Sequence, residues 1–547
     1  MNTSEQVNVD QSTAQSYSRS SRSARKVSEN KSHQEASRRT KVPQPHKLYL
    51  LILSVVVSCL SVSMPIFTDM ANSVQSQNLY IGLMFTKGQL PFTDMFATGG
   101  FLYYALIALA YYLGSTLWLV PIQIATFYLS GIYFYKLVNY FTSSQRVAVA
   151  FSGIFYLLNI ALGFGGLYPI QFAMPFVMVS LWFLTKYFAD IIKDEAFILY
   201  GFAGAAAMLL EPRTLVFWGL SFLTIIVYNL TQKHFARGFY QLLCIIFGTI
   251  LVFYTVGYFI LNLQVLSSYI SQVIVYQFTY FATSDSNFIL TLLFQVVVAL
   301  VSGILLGAFS FGKIIKGAND KVSKWLIFLV FLGFLVIDLL SQSYHFYHLL
   351  TVLPFGLLLT AMVLGERYQR HLTKTSHRRK KSSSDDKGIL GLYLSRHLYF
   401  PILLLIIGVG QPVVSYFLSS GTDSERSTIA SYLKKQTSSD DTIYVWDTSS
   451  KIGIKSQLAS SSQFTSPVVN TTKTSNEKTL GDELLQNLAS YIVVNNDEKI
   501  SDTIKNDISS NYEEVSISGV SGFTVYHKKI EAKRNILWSN KKTTTRY

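Results

Sequence analysis

"GQLPFTDMFATGGFLYYAL", residues 88–106, decides how often this chain crosses a membrane. The apolar run that begins at its glycine pair, "GGFLYYALIALAYYLG" at 99–114, is shorter than the roughly 20 residues a helical span needs. If that run crosses, every later loop changes sides. The stretch also repeats "FTDM", which first stands at 67–70, so one loop carries Asp69 and Asp94 in the same local setting.

The chain around it has 547 residues, 50% hydrophobic and 14% aromatic, with only 14% charged. Long apolar runs recur at 48–66, 116–139, 147–164, 168–189, 195–210, 214–230, 238–262, 288–312, 324–341, 346–364 and 394–417. These eleven runs read as membrane spans. The first has no small-residue cleavage site and reads as an uncleaved anchor. Cys59 and Cys244 lie inside such runs and read as packing residues, which leaves no disulfide framework or thiolate metal site.

Charge settles the doubtful run. With 99–114 lying in the interface, one side collects Lys136, Arg146, Lys186, Lys193, Lys233, Arg237, Lys313, Lys316, Lys321 and Lys324. The same side receives the Ser-rich basic tail 1–47 and the basic linker 365–393, while short loops opposite hold only Lys87 and Arg213. The positive-inside rule therefore favours an interfacial helix, with tail and linker cytoplasmic at the plasma membrane. Both basic segments read as disordered surface segments in contact with membrane lipids, and nucleic acid is not the expected partner.

Beyond residue 417 the pattern changes. "SERSTIASYLKKQT" and "DELLQNLA" read as helices, "DTIYVWD" and "SYIVVNN" as strands, and "YEEVSISGVSGFTVYHKK" as a closing hairpin, with a frayed tail after it. The expected fold is an α-helical polytopic membrane protein of about eleven transmembrane helices, with interfacial helices in the first outer loop and a small C-terminal α/β extracytoplasmic domain. Its parts are the tail 1–47, a transmembrane domain 48–364 with the first outer loop at 67–115, the linker 365–393, a last transmembrane helix 394–417 and the extracytoplasmic domain 418–547. Between the two aspartates, "NLYIGLMFTKGQLP" reads as a short amphipathic helix and a turn.

Taken singly, Asp69 and Asp94 read as helix caps or solvated loop carboxylates. Arg213 in "LLEPRTLVFW" reads as a partner of Glu211 or of lipid headgroups. His345 and His348 in "SYHFYHLLTVLPFGLLL" stand one turn apart and could hold a phosphate or, with an aspartate, a divalent metal. Asp338 is an intramembrane carboxylate that a neighbouring helix could satisfy. No Walker loop, Rossmann glycine motif or zinc helix is present, so ATP or NAD use is not suggested.

Asp69 followed by "LYIGLMFTKGQLPFTDMFATGGFLYY" resembles the first extracytoplasmic loop of the GT-C glycosyltransferases, polytopic enzymes that use polyprenyl-phosphate-linked sugars and include protein O-mannosyltransferase-like and aminoarabinose transferase-like members. "LLEPRTLVFW", the late histidine-containing span and the C-terminal segment are similar to the corresponding parts. The chain departs from many members at "ATGGF" after the second aspartate. The resemblance implies transfer of a sugar from a polyprenyl-phosphate donor to an extracytoplasmic glycan, lipid or protein acceptor. It implies Asp69 as base or orienting carboxylate, Asp94 as a second acid holding a metal or the acceptor, and a substrate-binding set of Arg213, Glu211, His345 and His348. A divalent metal ion is the only cofactor it leaves open. A flippase for lipid-linked saccharides and a non-catalytic membrane scaffold are the competing readings; the former would show repeat symmetry and broken helices with midplane charges.

Overall fold

The structure, a computed structural model, describes residues 41–191, 194–279, 288–316, 320–340, 345–377, 388–471 and 473–529. The tail up to residue 40, linker residues 378–387 and the stretch 530–547 lie outside them.

Seven helices among the described residues are long and apolar enough to cross a membrane: Thr116–Thr142, Gln145–Leu162, Pro169–Tyr187, Pro212–Thr231, Phe235–Asn262, Lys321–Leu339 and Phe400–Leu418. Each coincides with an expected span. The other expected spans are shorter or broken. The first helix, Gln44–Cys59, stops early because Val62 N–H (2.8 Å) and Ser61 Oγ (2.9 Å) donate to the Gly165 carbonyl. That tie folds the chain back before residue 66. Gly165 and Gly166 form a turn at φ +82° and +62°, a left-handed path that favours glycine. The run 288–312 is cut into Phe288–Val301, Leu305–Phe309 and Phe311–Ile315, with Gly303 at φ +75° in the break. The last span begins at Phe400, not 394, after a separate short helix, Ile389–Arg396. The helix that opens at Leu353 continues to His377, so the front of the expected linker is helical.

Phe197–Leu210 has only 14 residues but packs very closely on Phe235–Asn262. A Cβ on Gly201 would stand 2.2 Å from the Ile245 carbonyl oxygen, and one on Gly248 would stand 2.0 Å from that of Ile198. Backbones approach this closely only through small residues.

The doubtful run forms a 12-residue helix, Phe101–Tyr112. At about 1.5 Å per residue it is roughly 18 Å long, well short of a hydrocarbon core of about 30 Å. Its neighbour Ser73–Phe85, started by an Asn72/Gln75 capping box, is buried at every position from Gln75 to Met84. The amphipathic helix expected here is thus wrong in character. Gln75 Nε2 reaches the Gly166 carbonyl (2.7 Å) on one side, while Tyr80 Oη reaches the Leu458 carbonyl (2.7 Å) on another. It is sandwiched between the membrane domain and the C-terminal domain.

The C-terminal domain opens with a helix, Ser420–Gln436, and holds five strands among the described residues: β1 (Thr442–Trp446), β2 (Ala459–Ser460), β3 (Tyr491–Asn495), β4 (Tyr512–Val515) and β5 (Phe523–Lys528). Their order is β2-β1-β3-β5-β4. β1 runs parallel to β2 and β3, and the expected closing hairpin β4–β5 joins antiparallel to β3. Alternation along the strands sorts the two faces. Ile443, Val445 and Val493 pack against Ile429 and Leu433, while Tyr444 and Ile492 pack against Leu480, Leu484 and Ile508. Sequence patterning missed the short β2 and the helices Lys451–Ser456 and Asp502–Asn511.

Candidate active site

A cavity of about 540 Å³ opens between the loop that carries Asp69, the Phe400–Leu418 helix and the C-terminal domain. Its walls carry Asp69 and Asn72 from the loop, His345 and Tyr347, and Arg426 and Lys451 from the C-terminal domain. Phe164, Phe294, Phe346, Gly408 and Pro412 make its apolar side. The cavity therefore joins an ionic wall to an apolar one.

Asp69 sits in a single 3-10 turn, Thr68–Met70, which Thr68 Oγ1 ties to the Val62 (3.1 Å) and Met64 (3.2 Å) carbonyls. Its half-exposed carboxylate lies 3.3 Å from Lys455 Nζ, which also donates to Ser427 Oγ at 2.9 Å. Asp94 has a different place. It is exposed, accepts the Leu90 N–H at 2.7 Å and is not part of the cavity wall. The loop around it is clamped from three directions. Gln272 accepts from Ala97 N–H (3.0 Å) and donates to the Phe92 carbonyl (2.8 Å), Gln277 donates to that of Thr98 (3.0 Å), and the Gln463 carbonyl accepts from Phe96 N–H (2.8 Å). The two "FTDM" copies thus do unlike things: one lines the cavity, the other closes a turn.

Arg213 is committed elsewhere too. Its Nε and Nη2 form a bidentate fork on Glu211, at 3.0 and 2.9 Å, and Nη1 lies 3.4 Å from His348 Nδ1 and 3.8 Å from Asp338 Oδ1. Thr351 Oγ1 donates to the other Asp338 oxygen. Such a buried set persists because every charge has partners. Arg213 and Glu211 are not in the cavity wall; contact passes through His348, whose ring stacks on Tyr347 at 4.4 Å. Tyr347 in turn stacks on Tyr168 at 4.6 Å and on His345 at 5.5 Å. Of the seven residues singled out from sequence, Asp69 and His345 line the cavity, His348, Arg213, Glu211 and Asp338 stand behind it, and Asp94 stands apart.

The cations that do line the cavity come from the C-terminal domain. Arg426 donates to both Asp447 oxygens, at 2.7 and 2.8 Å, and to Asp423 at 2.7 Å; Lys451 Nζ donates to Asp423 at 2.7 Å. Burial works to raise the Asp423 carboxyl, but the Lys451 and Arg426 hydrogen bonds and charges together hold it below the ordinary carboxylate range. Burial pulls Lys451 below the usual lysine range, against the opposing pull of Asp423. The Asp423/Arg426 spacing was readable as a helical ion pair. Nothing in the sequence showed that it faces the first loop.

No group of three or more His, Cys, Asp or Glu side chains is placed to hold a metal ion among the described residues. Among the described residues no third donor of that kind stands beside His345 and His348.

The fold has counterparts among solved structures. It is similar to the crystal structures of ArnT from Cupriavidus metallidurans bound to undecaprenyl phosphate (12% identity, TM-score 0.54) and in the apo state (12%, 0.52). Each match covers 89% of this chain and 98% of the other. A weaker likeness, at 11% identity and TM-score 0.44, is to the archaeal oligosaccharyltransferase AglB from Archaeoglobus fulgidus, over 89% of this chain and 74% of that one. The chain belongs to the competence-induced protein Ccs4 family: the N-terminal domain model of that family matches residues 35–420 and its C-terminal domain model matches 423–529. No curated protein matches the chain significantly.

Proposed function

We propose that the protein is an integral membrane glycosyltransferase that moves a sugar from a polyprenyl-phosphate carrier to an acceptor outside the cytoplasm, a cell-wall glycan, a lipid or a protein. The observation that carries this reading is the cavity itself, which sets the Asp69 carboxylate and two cations beside an apolar wall. In this reaction the acceptor hydroxyl oxygen attacks the anomeric carbon, its proton passes to Asp69, and the carbon–oxygen bond to phosphate breaks with inversion. The phosphate departs with the bonding pair and needs no proton, being already a weak base. Asp94 is assigned a positioning role, through the turn it closes, and Arg213 a supporting one, through His348 and Tyr347. The first outer loop and the C-terminal domain face outward at the plasma membrane, and the basic tail and linker face the cytoplasm; the short Phe101–Tyr112 helix supports that parity.

The test is transfer from a labelled polyprenyl-phosphate sugar by the purified full-length chain. Asp69→Asn should lose about 10²- to 10⁴-fold, the usual worth of a positioned base. Asp94→Asn, which keeps an acceptor oxygen for Leu90 N–H, should retain most of the activity. Unchanged turnover in Asp69→Asn would remove that residue from the mechanism, and lipid translocation without transfer would identify a flippase instead.

A further inference from the structure

We propose that the carboxyl edge of β1, through Lys451 and Arg426, is the subsite that holds the phosphate of the lipid carrier. This rests on the glycosyltransferase reading above. It makes the C-terminal domain a part of donor binding, beyond its role as a cap.

Three observations converge. Arg426 and Lys451 are the lysine and arginine side chains in the cavity wall, and both belong to the C-terminal domain. The arginine expected for this task, Arg213, has its fork on Glu211 and is not in the wall.

The second observation is donor capacity. A guanidinium has five N–H donors and an ammonium three. Arg426 uses its Nε and one N–H on each terminal nitrogen, and Lys451 uses one proton on Asp423. Each keeps two donors for a ligand. The carboxylates that orient them, Asp423 and Asp447, are not in the wall, so an entering anion meets N–H groups with the acids behind them. Asn495 Nδ2, from the end of β3, braces Asp447 at 2.9 Å. Both cations are therefore held in place before any ligand arrives, which limits the ordering cost of binding.

The third is topology. β1 is flanked by parallel partners, and "DTSSK" at its carboxyl end leads into the Lys451–Ser456 helix. Ligands of open sheets with parallel strands bind beyond the carboxyl ends of those strands. Thr448 and Ser449 of this same connection also line the cavity and add hydroxyl groups. From that edge the apolar wall, with Phe294, Gly408 and Pro412, continues the cavity toward the membrane helices, where a polyprenyl chain would run.

The experiment measures binding of undecaprenyl phosphate to the full-length protein in nanodiscs, with undecaprenol, inorganic phosphate and phosphatidylglycerol as comparison probes. Lys451→Met is the informative variant, because Asp423 keeps its Arg426 partner; Arg426 itself supports the domain too heavily to be a clean probe. Lys451→Met should weaken undecaprenyl phosphate about tenfold or more, the worth of a charge-assisted hydrogen bond, and leave undecaprenol unaffected. Lys451→Arg should restore most of the loss, and hydrogen exchange in β1 should show the domain folded in both. Undiminished affinity in Lys451→Met overturns the subsite and leaves the glycosyltransferase reading standing. Equal competition by phosphatidylglycerol or inorganic phosphate overturns the carrier as its ligand. No preference of the wild type for undecaprenyl phosphate over undecaprenol overturns subsite and parent reading together, whereas loss of transfer in Asp69→Asn with binding intact separates the chemistry from the phosphate site.

Discussion

Arg426→Met isolates what holds the C-terminal domain together beneath the cavity. The side chain makes three hydrogen bonds, each 2.7–2.8 Å, to two carboxylates, and neither Asp423 nor Asp447 is more than 10% exposed. Removing it leaves Asp447 with only neutral donors, chiefly Asn495 Nδ2 (2.9 Å) and Thr448 N–H (2.8 Å), while Asp423 keeps Lys451. Breaking one partner out of a buried pair costs about 3–5 kcal/mol, because a charge is left uncompensated in a poor solvent. The residual donors on Asp447 place the expected loss near about 3 kcal/mol, a large part of the roughly 5–15 kcal/mol that stabilises a typical domain. At about 1.4 kcal/mol per factor of ten, amides of Thr442–Trp446 and Tyr491–Asn495 should then exchange about 150-fold faster. Hydrogen–deuterium exchange read by mass spectrometry on the full-length protein measures this directly. Lys455→Met is the matched control: its pair with Asp69 has side chains 36% and 41% exposed, and such pairs contribute at most about 1 kcal/mol, or about fivefold. Exchange in β1 and β3 that rises no more in Arg426→Met than in Lys455→Met would refute the reasoning.

Two further outcomes follow from the geometry. Asp94→Ala should lower thermal stability by about 1 kcal/mol, the worth of the hydrogen bond to Leu90 N–H, whereas Asp94→Asn should cost less; equal melting temperatures for wild type and Asp94→Ala would remove its turn-closing role. The depressed Asp423 carboxyl makes the domain acid-sensitive: its contribution is fully present above the unfolded value near about pH 3.9 and is lost as pH falls through the lower folded value. Exchange protection of β1 should therefore drop below about pH 4 and drop less steeply in Asp423→Asn, and identical acid profiles for the two proteins would count against the network as the cause.

Most of the architecture was legible because it is written in local pattern. Apolar runs of span length mark the long helices, and period-two alternation marks β1, β3 and the closing hairpin, since burial on one face imposes those periods wherever the chain ends up. The first helix's early end was not legible. Its cause is a pair of hydrogen bonds to Gly165, about a hundred residues away, and no window on 48–66 contains that information. The same holds for Ser73–Phe85: the stretch from Asn78 reads as a short amphipathic helix, yet the helix is buried from Gln75 to Met84 by partners from two other parts of the chain.

The candidate site divides along the same line. The sequence by itself determined that two acids follow the first apolar run, that Glu211 and Arg213 stand two residues apart and that two histidines share a turn, because spacing along a helix or tight turn fixes short-range geometry. It could not separate Asp69 from Asp94, since an identical tetrapeptide carries no record of what packs against it. Only the tertiary structure decided that Asp69 borders a cavity while Asp94 closes a turn, that Arg213 is held by its own neighbour, and that the cations facing Asp69's cavity arrive from more than 350 residues further along the chain. The physical reason is that electrostatic partners are chosen by distance in space, and the docking of the C-terminal domain on Tyr80, Phe96 and the loop between them is what sets that distance.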